Sequence, residues 1–389
     1  MALVPFRYTA RSLFVRLSAT LLTVFGIAAT VAVVASILSL QQGFARLFED
    51  SGRPDVYVFL RPGSSSEGLS GFTRRGSDHL LKSLPEVATD DAGQPLAAAE
   101  CFLAVRREKV GGGETNVAIR GVQPASFTIS GSRLRILEGR RARDGADEVI
   151  VGRKLVDRIE NCRVGETIVL NTTPFVVTGI FSDGGPSESE IWGDADRIMS
   201  ALERPTFNRI VARLKPDVDI EAFVERMEVD PIQPAAVQSE EEYYARQVGT
   251  ITVALIFLAS LLGAIMGVAA IFTATNTMLA AVGARTHEIG ILLSIGFGPL
   301  AVFLSFLFEA LLLGLIGGVI GAAIVLPLNG VETGTANFDS FTEVAFAFRI
   351  SGFVLGTAIL FATGLGLIGG LIPAWRASRL LPTEAMRRG

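Results

Sequence analysis

The residue types that do chemistry are scarce in this chain and poorly placed to do it. Phosphoryl transfer needs a glycine-rich loop that cradles phosphate, with a lysine directly after a glycine. The chain has four lysines, Lys82, Lys109, Lys154 and Lys215, and none follows a glycine. The string GGGE (111–114) stands between strand-like segments and is expected to be a hairpin turn. The two histidines, His79 and His287, fall on opposite sides of a membrane in the layout derived below, so they share neither a metal nor a catalytic base. The stretch Ser187-Glu188-Ser189-Glu190 would suit acid catalysis or Ca²⁺ binding, but acidic runs are mostly solvated faces, and a solvated loop is the expectation. Cys101 and Cys162 both fall outside, where disulfides are permitted; a disulfide between them and a pair of buried thiols are both open. No catalytic, metal or cofactor-binding residue is assigned, and the chain is expected not to be an enzyme.

The elements around these residues explain the scarcity. Of 389 residues 49% are apolar and only 19% charged, against about 25% charge in a typical soluble chain. A net charge of −4 gives no basic footprint for nucleic acid. Charge is absent between Arg16 and Arg46, between Arg246 and Arg285, and between Arg349 and Arg376; from Gly290 to Asn329 the one charged residue is Glu309. A bilayer core of about 30 Å needs roughly 20 apolar helical residues, and each run supplies them. The first is longer than the roughly 7–15 residues of a secretory h-region and lacks a small-x-small cleavage site, so a retained helix is expected. The fold class is a membrane protein with four transmembrane α-helices and a large extracytoplasmic α+β domain between helices 1 and 2.

Arginines near the span ends orient the chain. Arg7, Arg11 and Arg16 precede the first span, Arg285 lies between the second and third, and Arg376, Arg379, Arg387 and Arg388 follow the fourth. The loop between spans three and four sets Arg349 against Glu332, Asp339 and Glu343. Basic segments belong inside, so both termini are cytoplasmic. The layout is a cytoplasmic segment 1–16, helix 1 at 17–40, the outer domain at 41–247, helix 2 at 248–282 and an inner turn at 283–306. Helix 3 follows at 307–328, a short outer loop at 329–350, helix 4 at 351–373 and a cytoplasmic tail at 374–389. Residues 41–247 carry a net −7 and the remainder +3. PDVYVFL (54–60), NVAIRGV (116–122), EVIVG (148–152) and TIVLNTTPFVVTGIF (167–181) are strand-like. GSDHLLKSL (76–84), RKLVDRI (153–159) and DIEAFVERM (219–227) have helical spacing. PGSSSEGLSG (62–71) and SDGGPSESE (182–190) are polar loops.

Within the spans, Gly263/Gly267, Gly314/Gly318, Gly317/Gly321 and Gly366/Gly370 form four GxxxG pairs. Small residues four apart let helices approach in lipid; they either pack spans of one chain or form a dimer seam. Glu309, the ionisable residue inside an apolar run, is a functional candidate. It lies only about 15 Å from the helix start at Pro299 at 1.5 Å per residue, so contact with water or an arginine near the cytoplasmic end is the expectation. The segment IGILLSIG after Arg285, His287 and Glu288 is too short to cross and is expected to lie at the inner surface, facing a cytoplasmic partner.

These residues resemble the MacB/FtsX class of ABC transporter permeases, relatives of which are the lipoprotein-releasing permeases. The matching pattern is Asn276 and Met278, then Arg285-Thr286-His287-Glu288-Ile289-Gly290, Gly296, and Glu309 leading into Gly314, Gly317, Gly318 and Gly321. The family commonly has a basic residue, often Arg, where His287 stands. The tail PAWRASRLLPTEAMRRG (373–389) is similar to the family's ending, with Met386 in place of Leu. AIRGVQPASF (118–127), ILEGR (136–140), EVIVGRKLVDRI (148–159) and VGETIVLNTTPFVVTGIF (164–181) resemble its MacB-like periplasmic domain.

The resemblance implies that Arg285, Thr286, His287, Glu288, Gly290 and Gly296 form a coupling helix seated in a separate cytoplasmic ABC ATPase. Arg285 and Glu288 would be its polar contacts, and Gly290 and Gly296 its bends. ATP and Mg would be bound by that partner and no cofactor by this chain. A second permease copy or paralogue would complete the assembly, with or without a periplasmic adaptor, in the inner membrane. The implied function is ATP-driven movement of outer domains that exports or extracts a lipid, lipoprotein, peptide or hydrophobic compound. The alternatives are a non-transporting permease that controls an external enzyme, and an ATPase-independent membrane sensor. An outer domain of about 200 residues favours the first, because cell-division members usually have a smaller one.

Overall fold

A computed structural model describes residues 17–49, 51–64, 66–336 and 341–381. Arg7, Arg11, Arg16, Asp339, Met386, Arg387 and Arg388 lie outside the described residues. The chain divides into two compact units. The membrane unit comprises Met1–Gly43, Ile251–Val331 and Ala347–Gly389; the head comprises Phe44–Thr250 and Glu332–Phe346.

In chain order, helix α1 (Leu17–Glu49) leads into strand β1 (Val56–Leu60), helix α2 (Arg74–Lys82), strands β2 (Ala97–Glu108) and β3 (Glu114–Val122), and helix α3 (Pro124–Ser130). Strands β4 (Arg135–Gly139), β5 (Glu148–Gly152), β6 (Thr167–Leu170), β7 (Thr173–Ser182) and β8 (Glu190–Asp194) follow. Helix α4 (Ala195–Ala201), strand β9 (Arg209–Arg213), helix α5 (Ile220–Glu228) and strand β10 (Ala236–Ser239) complete this stretch. Then come helices α6 (Glu240–Ala284), α7 (Thr286–Ser294) and α8 (Pro299–Val325), strands β11 (Glu332–Ala336) and β12 (Glu343–Ala347), and helix α9 (Gly352–Ser378).

The head is built on one mixed sheet of ten strands, ordered β10-β1-β9-β2-β3-β8-β5-β7-β4 with β6 beside β7. Pairing is antiparallel except for β3 with β8 and β5 with β7. Alternating sequences place Phe59, Ile119, Val149, Phe175 and Ile210 in one apolar core, beneath which Phe72, Phe207 and Phe223 also pack. Thr73, Asp194 and Asp219 cap α2, α4 and α5 by accepting the N–H of Gly76, Arg197 and Ala222 at 3.2, 3.0 and 3.2 Å, satisfying donors that the first turn leaves open. The β6–β7 hairpin turns at Asn171, whose φ of 54° is left-handed, a conformation asparagine tolerates. GGGE forms the β2–β3 turn with Gly111, Gly112 and Gly113 all at positive φ. RKLVDRI is not a helix: one 3₁₀ turn spans Arg153–Leu155. Its backbone is drawn instead into a bridge between Lys109 and Ile159, with Val110 N–H donating to Arg158 O and Glu160 N–H to Glu108 O.

In the membrane unit, α1, α6, α8 and α9 are each long and apolar enough to cross a membrane. α8 begins at Pro299, inside the segment expected to be the inner turn, because proline is favoured at the first helical position after the Gly298 cap. The glycine pairs pack within the chain. A Cβ on Gly314 would lie 2.7 Å from Ala362 O and one on Gly318 2.8 Å from Ala362 Cβ, so this pair meets α9. Gly317 and Gly321 meet α1, with Ile27 at 2.9 Å and Ala28 O at 2.6 Å. Gly366 lies against Ala310 O at 2.6 Å and Gly370 against Ala310, while Gly263 and Gly267 face Val34 and Leu365 at 3.2 Å. Overlapping GxxxG pairs on α8 thus serve two neighbours through two faces, and these eight glycines line contacts between spans of one chain.

The outer loop 329–350 is also more than a loop. β11 and β12 form a hairpin whose residues 332–346 belong to the head. Glu343 takes an ion pair from Lys109 at 2.6 Å, a second from Arg158, and the Thr115 hydroxyl proton at 2.6 Å. Burial opposes its charge, but these partners hold its carboxyl below the usual range.

Candidate functional site

The inner turn starts where α6 ends. Arg285 stands at φ −111° and ψ 15° as the non-helical cap of α7, a helix of nine residues or about 14 Å. Ile289 points into an apolar cluster with Met278, Val282, Val302 and Phe306, and Gly290 is buried with it. His287, Glu288, Ile291 and Ile295 are exposed, at the three- and four-residue spacing of one helix face. Gly296, at φ 108°, ends the turn in a conformation that favours glycine. Gly290 makes no bend, since α7 runs through it unbroken.

Arg285 does not join that exposed face. Its Nη1 reaches Glu309 Oε2 of α8 at 3.2 Å, with side-chain exposures of 17% and 8%; the exposed Glu288 is farther, at 3.9 Å from Nε. Within the chain Arg285 is thus engaged by Glu309 rather than by Glu288: a buried carboxylate needs its charge matched more than an exposed one does. Glu309 meets an arginine near the inner end of its span.

The other end of α6 is rooted in the head. Tyr243 donates its hydroxyl to Glu67 at 3.2 Å, Tyr244 stacks near Phe48 with ring centroids 5.8 Å apart, and Glu240 accepts the Arg53 N–H at 3.1 Å. Beneath them lies a buried ionic cluster. Arg120 on β3 binds Glu190 at 2.6 Å, Glu100 at 3.3 Å and Glu67; Arg209 on β9 binds Glu100 at 2.7 Å and Glu67 at 3.3 Å. Burial opposes the Glu67 charge, but Arg120 and Arg209 outweigh it and hold its carboxyl below the usual range. Glu240 has no such surplus: burial raises its carboxyl to about 7, against the pull of Arg209 and the Arg53 N–H. Two cavities beside this root measure about 50 and 40 Å³, room for water but not for a hydrophobic cargo.

The acidic segment 187–190 is not the solvated loop expected. Ser187, Glu188 and Ser189 are buried, Glu188 pairs with Lys154 at 3.4 Å and Arg153 at 3.5 Å, and Ser189 Oγ accepts the Ala345 N–H. Cys101 and Cys162 are free, buried thiols, each pushed up to about 12 by burial. Among the described residues no group of three or more His, Cys, Asp or Glu is placed to hold a metal ion. Sequence reasoning missed the ionic cluster and the outward Ile291 and Ile295. A charged residue inside the apolar strands AIRGV and RIVAR was the available signal for the first; α7 periodicity was the signal for the second.

Residues 20–229 match the MacB-like periplasmic core domain and residues 251–382 the FtsX-like permease C-terminal region. The chain is 26% identical over 401 residues to the macrolide export ATP-binding/permease protein MacB 2 of Aeromonas hydrophila subsp. hydrophila, covering 95% of this chain and 58% of that protein. It is 24% identical over 396 residues to the macrolide export ATP-binding/permease protein MacB of Escherichia coli, covering 94% and 58%. The chain thus spans less than two thirds of the length of these relatives. Among solved structures, the periplasmic region of MacB from Actinobacillus actinomycetemcomitans gives a TM-score of 0.36 at 13% identity, covering 50% of this chain and 92% of that one. The extracellular domain of the ABC-type transporter YknZ from Gram-positive bacteria gives 0.35 at 14%, covering 47% and 98%. The two matched regions run through both units of the molecule, and the chain belongs to the MacB/FtsX class of ABC transporter permeases.

Proposed function

We propose that this chain is the membrane component through which an ABC ATPase, binding ATP and Mg, moves outer domains to export or extract a lipid, lipoprotein, peptide or hydrophobic compound. One observation carries the reading: α6 is a single helix of 45 residues, roughly 68 Å at 1.5 Å per residue, about twice a bilayer core. It begins on the buried tyrosines of the head and ends at the exposed face of the inner turn. A helix continuous with both is the path along which displacement would pass. Arg285, Arg376 and Arg379 support an inner turn and termini on the cytoplasmic side. A second copy completes the assembly, and the outward apolar face of α6, Val253, Phe257, Leu261, Val268 and Phe272, meets lipid or that copy. ATP shifts the arrangement only if the ATP-bound partner binds one setting of α7 better than the other.

Purification from native membranes tests this. An ABC ATPase retained by the unaltered chain and lost on Glu288→Arg or Ile291→Asp supports α7 as the docking helix. An ATPase that stays bound to both variants removes that assignment. Hydrolysis that rises on adding lipid or lipoprotein favours transport; hydrolysis indifferent to both favours control of an external enzyme. Absence of any ATPase from the unaltered complex favours a sensor.

A further inference from the structure

We propose that Glu309 is a positioning residue for coupling: its carboxylate holds Arg285, and with it the start of α7, against span three. This rests on the reading of α7 as the docking helix. A nine-residue helix is marginal by itself, so tertiary contacts must set its place. Ile289 in its apolar cluster supplies a non-directional contact, which fixes depth better than angle. The guanidinium–carboxylate contact at 3.2 Å is directional and shielded from water. Glu288, on the turn itself, is a weak competitor at 3.9 Å and 55% exposed. A push on the His287–Ile295 face reaches α6 through the backbone of Arg285, and α8 through the Ile289 cluster, through residues 295–298 and across the ion pair. Of these contacts the ion pair fixes angle most sharply. α8 is locked to α9 through Gly314 and Gly318 and to α1 through Gly317 and Gly321, so the ion pair engages three spans together. Without Glu309 that directional contact is lost, and α7 can swivel about its apolar anchor instead of transmitting.

The test uses the full chain carrying Thr286→Cys in inside-out membrane vesicles, labelled with an impermeant maleimide. Thr286 is half-buried, and Cys101 and Cys162 are buried in the head, so background is low. Glu309→Gln should raise the labelling rate at least tenfold, and the charge-reversed pair Arg285→Glu with Glu309→Arg should return it to within threefold of the parent. In the complex, ATP hydrolysis stimulated by the permease, per bound ATPase, should fall at least tenfold with Glu309→Gln and recover with the reversed pair. Glu309→Asp, which keeps the charge and shortens the reach, should be intermediate in both and serves where Glu309→Gln does not accumulate. Labelling at the parental rate in Glu309→Gln overturns the hold on Arg285. Faster labelling with unchanged stimulation overturns the role in coupling. If no ATPase accompanies the unaltered chain, the docking reading fails, and the labelling arm still decides whether Glu309 holds the turn.

Discussion

In the head, Arg120, Arg209, Glu67 and Glu100 are buried together, with Glu190 at their edge, beside the core of a ten-stranded sheet, whereas in the membrane unit the spans meet through glycine and Glu309 meets Arg285. The contrast follows from the solvent each unit excludes. Moving apolar surface out of water contributes about 25 cal/mol per Å², so the head can offset the desolvation of several charges and use their geometry to tie β3, β9 and the root of α6 together. Lipid is as apolar as leucine and offers no such drive between helices. Specificity there comes from how closely backbones approach, and a buried acid is tolerable only beside its counter-charge.

The largest expected effect breaks the head's side of this contrast. Arg120→Ala leaves Glu67 and Glu190 without their shared guanidinium and should cost about 3–5 kcal/mol. In the full chain in detergent this should lower the melting temperature of the head by about 10 °C. Removing Arg120 and Glu190 together should cost less than removing Arg120 alone; equal or greater loss would mean that the arginine acts through packing rather than charge.

Next comes the membrane side. Gly366→Leu forces a side chain into a backbone contact of 2.6 Å and should cost about 1–3 kcal/mol, seen as lower accumulation and a lower melting temperature. Gly356→Leu on the same helix, where a Cβ meets nothing within 4 Å, should be nearly neutral. If the two variants behave alike, close approach is not what holds α8 and α9.

A further effect is pH-dependent. Glu240 binds its proton more tightly folded, at about 7, than unfolded. Its contribution to stability is complete below pH about 4.5 and is lost as pH rises through about 7, a fall on the order of 3 kcal/mol. Glu240→Gln should flatten that limb of the melting curve. Glu67, Glu188 and Glu343, all held low by basic partners, act oppositely, losing stability as pH drops below about 4.5. An unchanged slope between pH 5 and 7 in Glu240→Gln would assign that limb to another group. The smallest effect is expected from reduction: with Cys101 and Cys162 free, dithiothreitol should change neither gel mobility nor melting temperature, and a shift in either would show a bond between them.

The four spans, the placing of a mixed domain between the first two and most of its strands were legible in the sequence; that helix 2 starts at Glu240, eight residues before the expected 248, was not. Each legible feature is written locally, as a charge-free run or an alternation whose period follows from backbone geometry. Other features were decided only in three dimensions. Glu67 and Glu188 sit in Gly/Ser-rich text that reads as solvated loop, yet both are buried, because arginines or lysines from other elements meet them. That Arg285 stands against Glu309, on the next span, is visible only in the fold. The GxxxG pairs state that something comes close but not what, and the loop 329–350 conceals a hairpin held by Lys109 and Arg158. A helix or strand is a property of a few consecutive residues, whereas the burial of a charge depends on which distant group stands opposite it, and only the folded chain brings the two together.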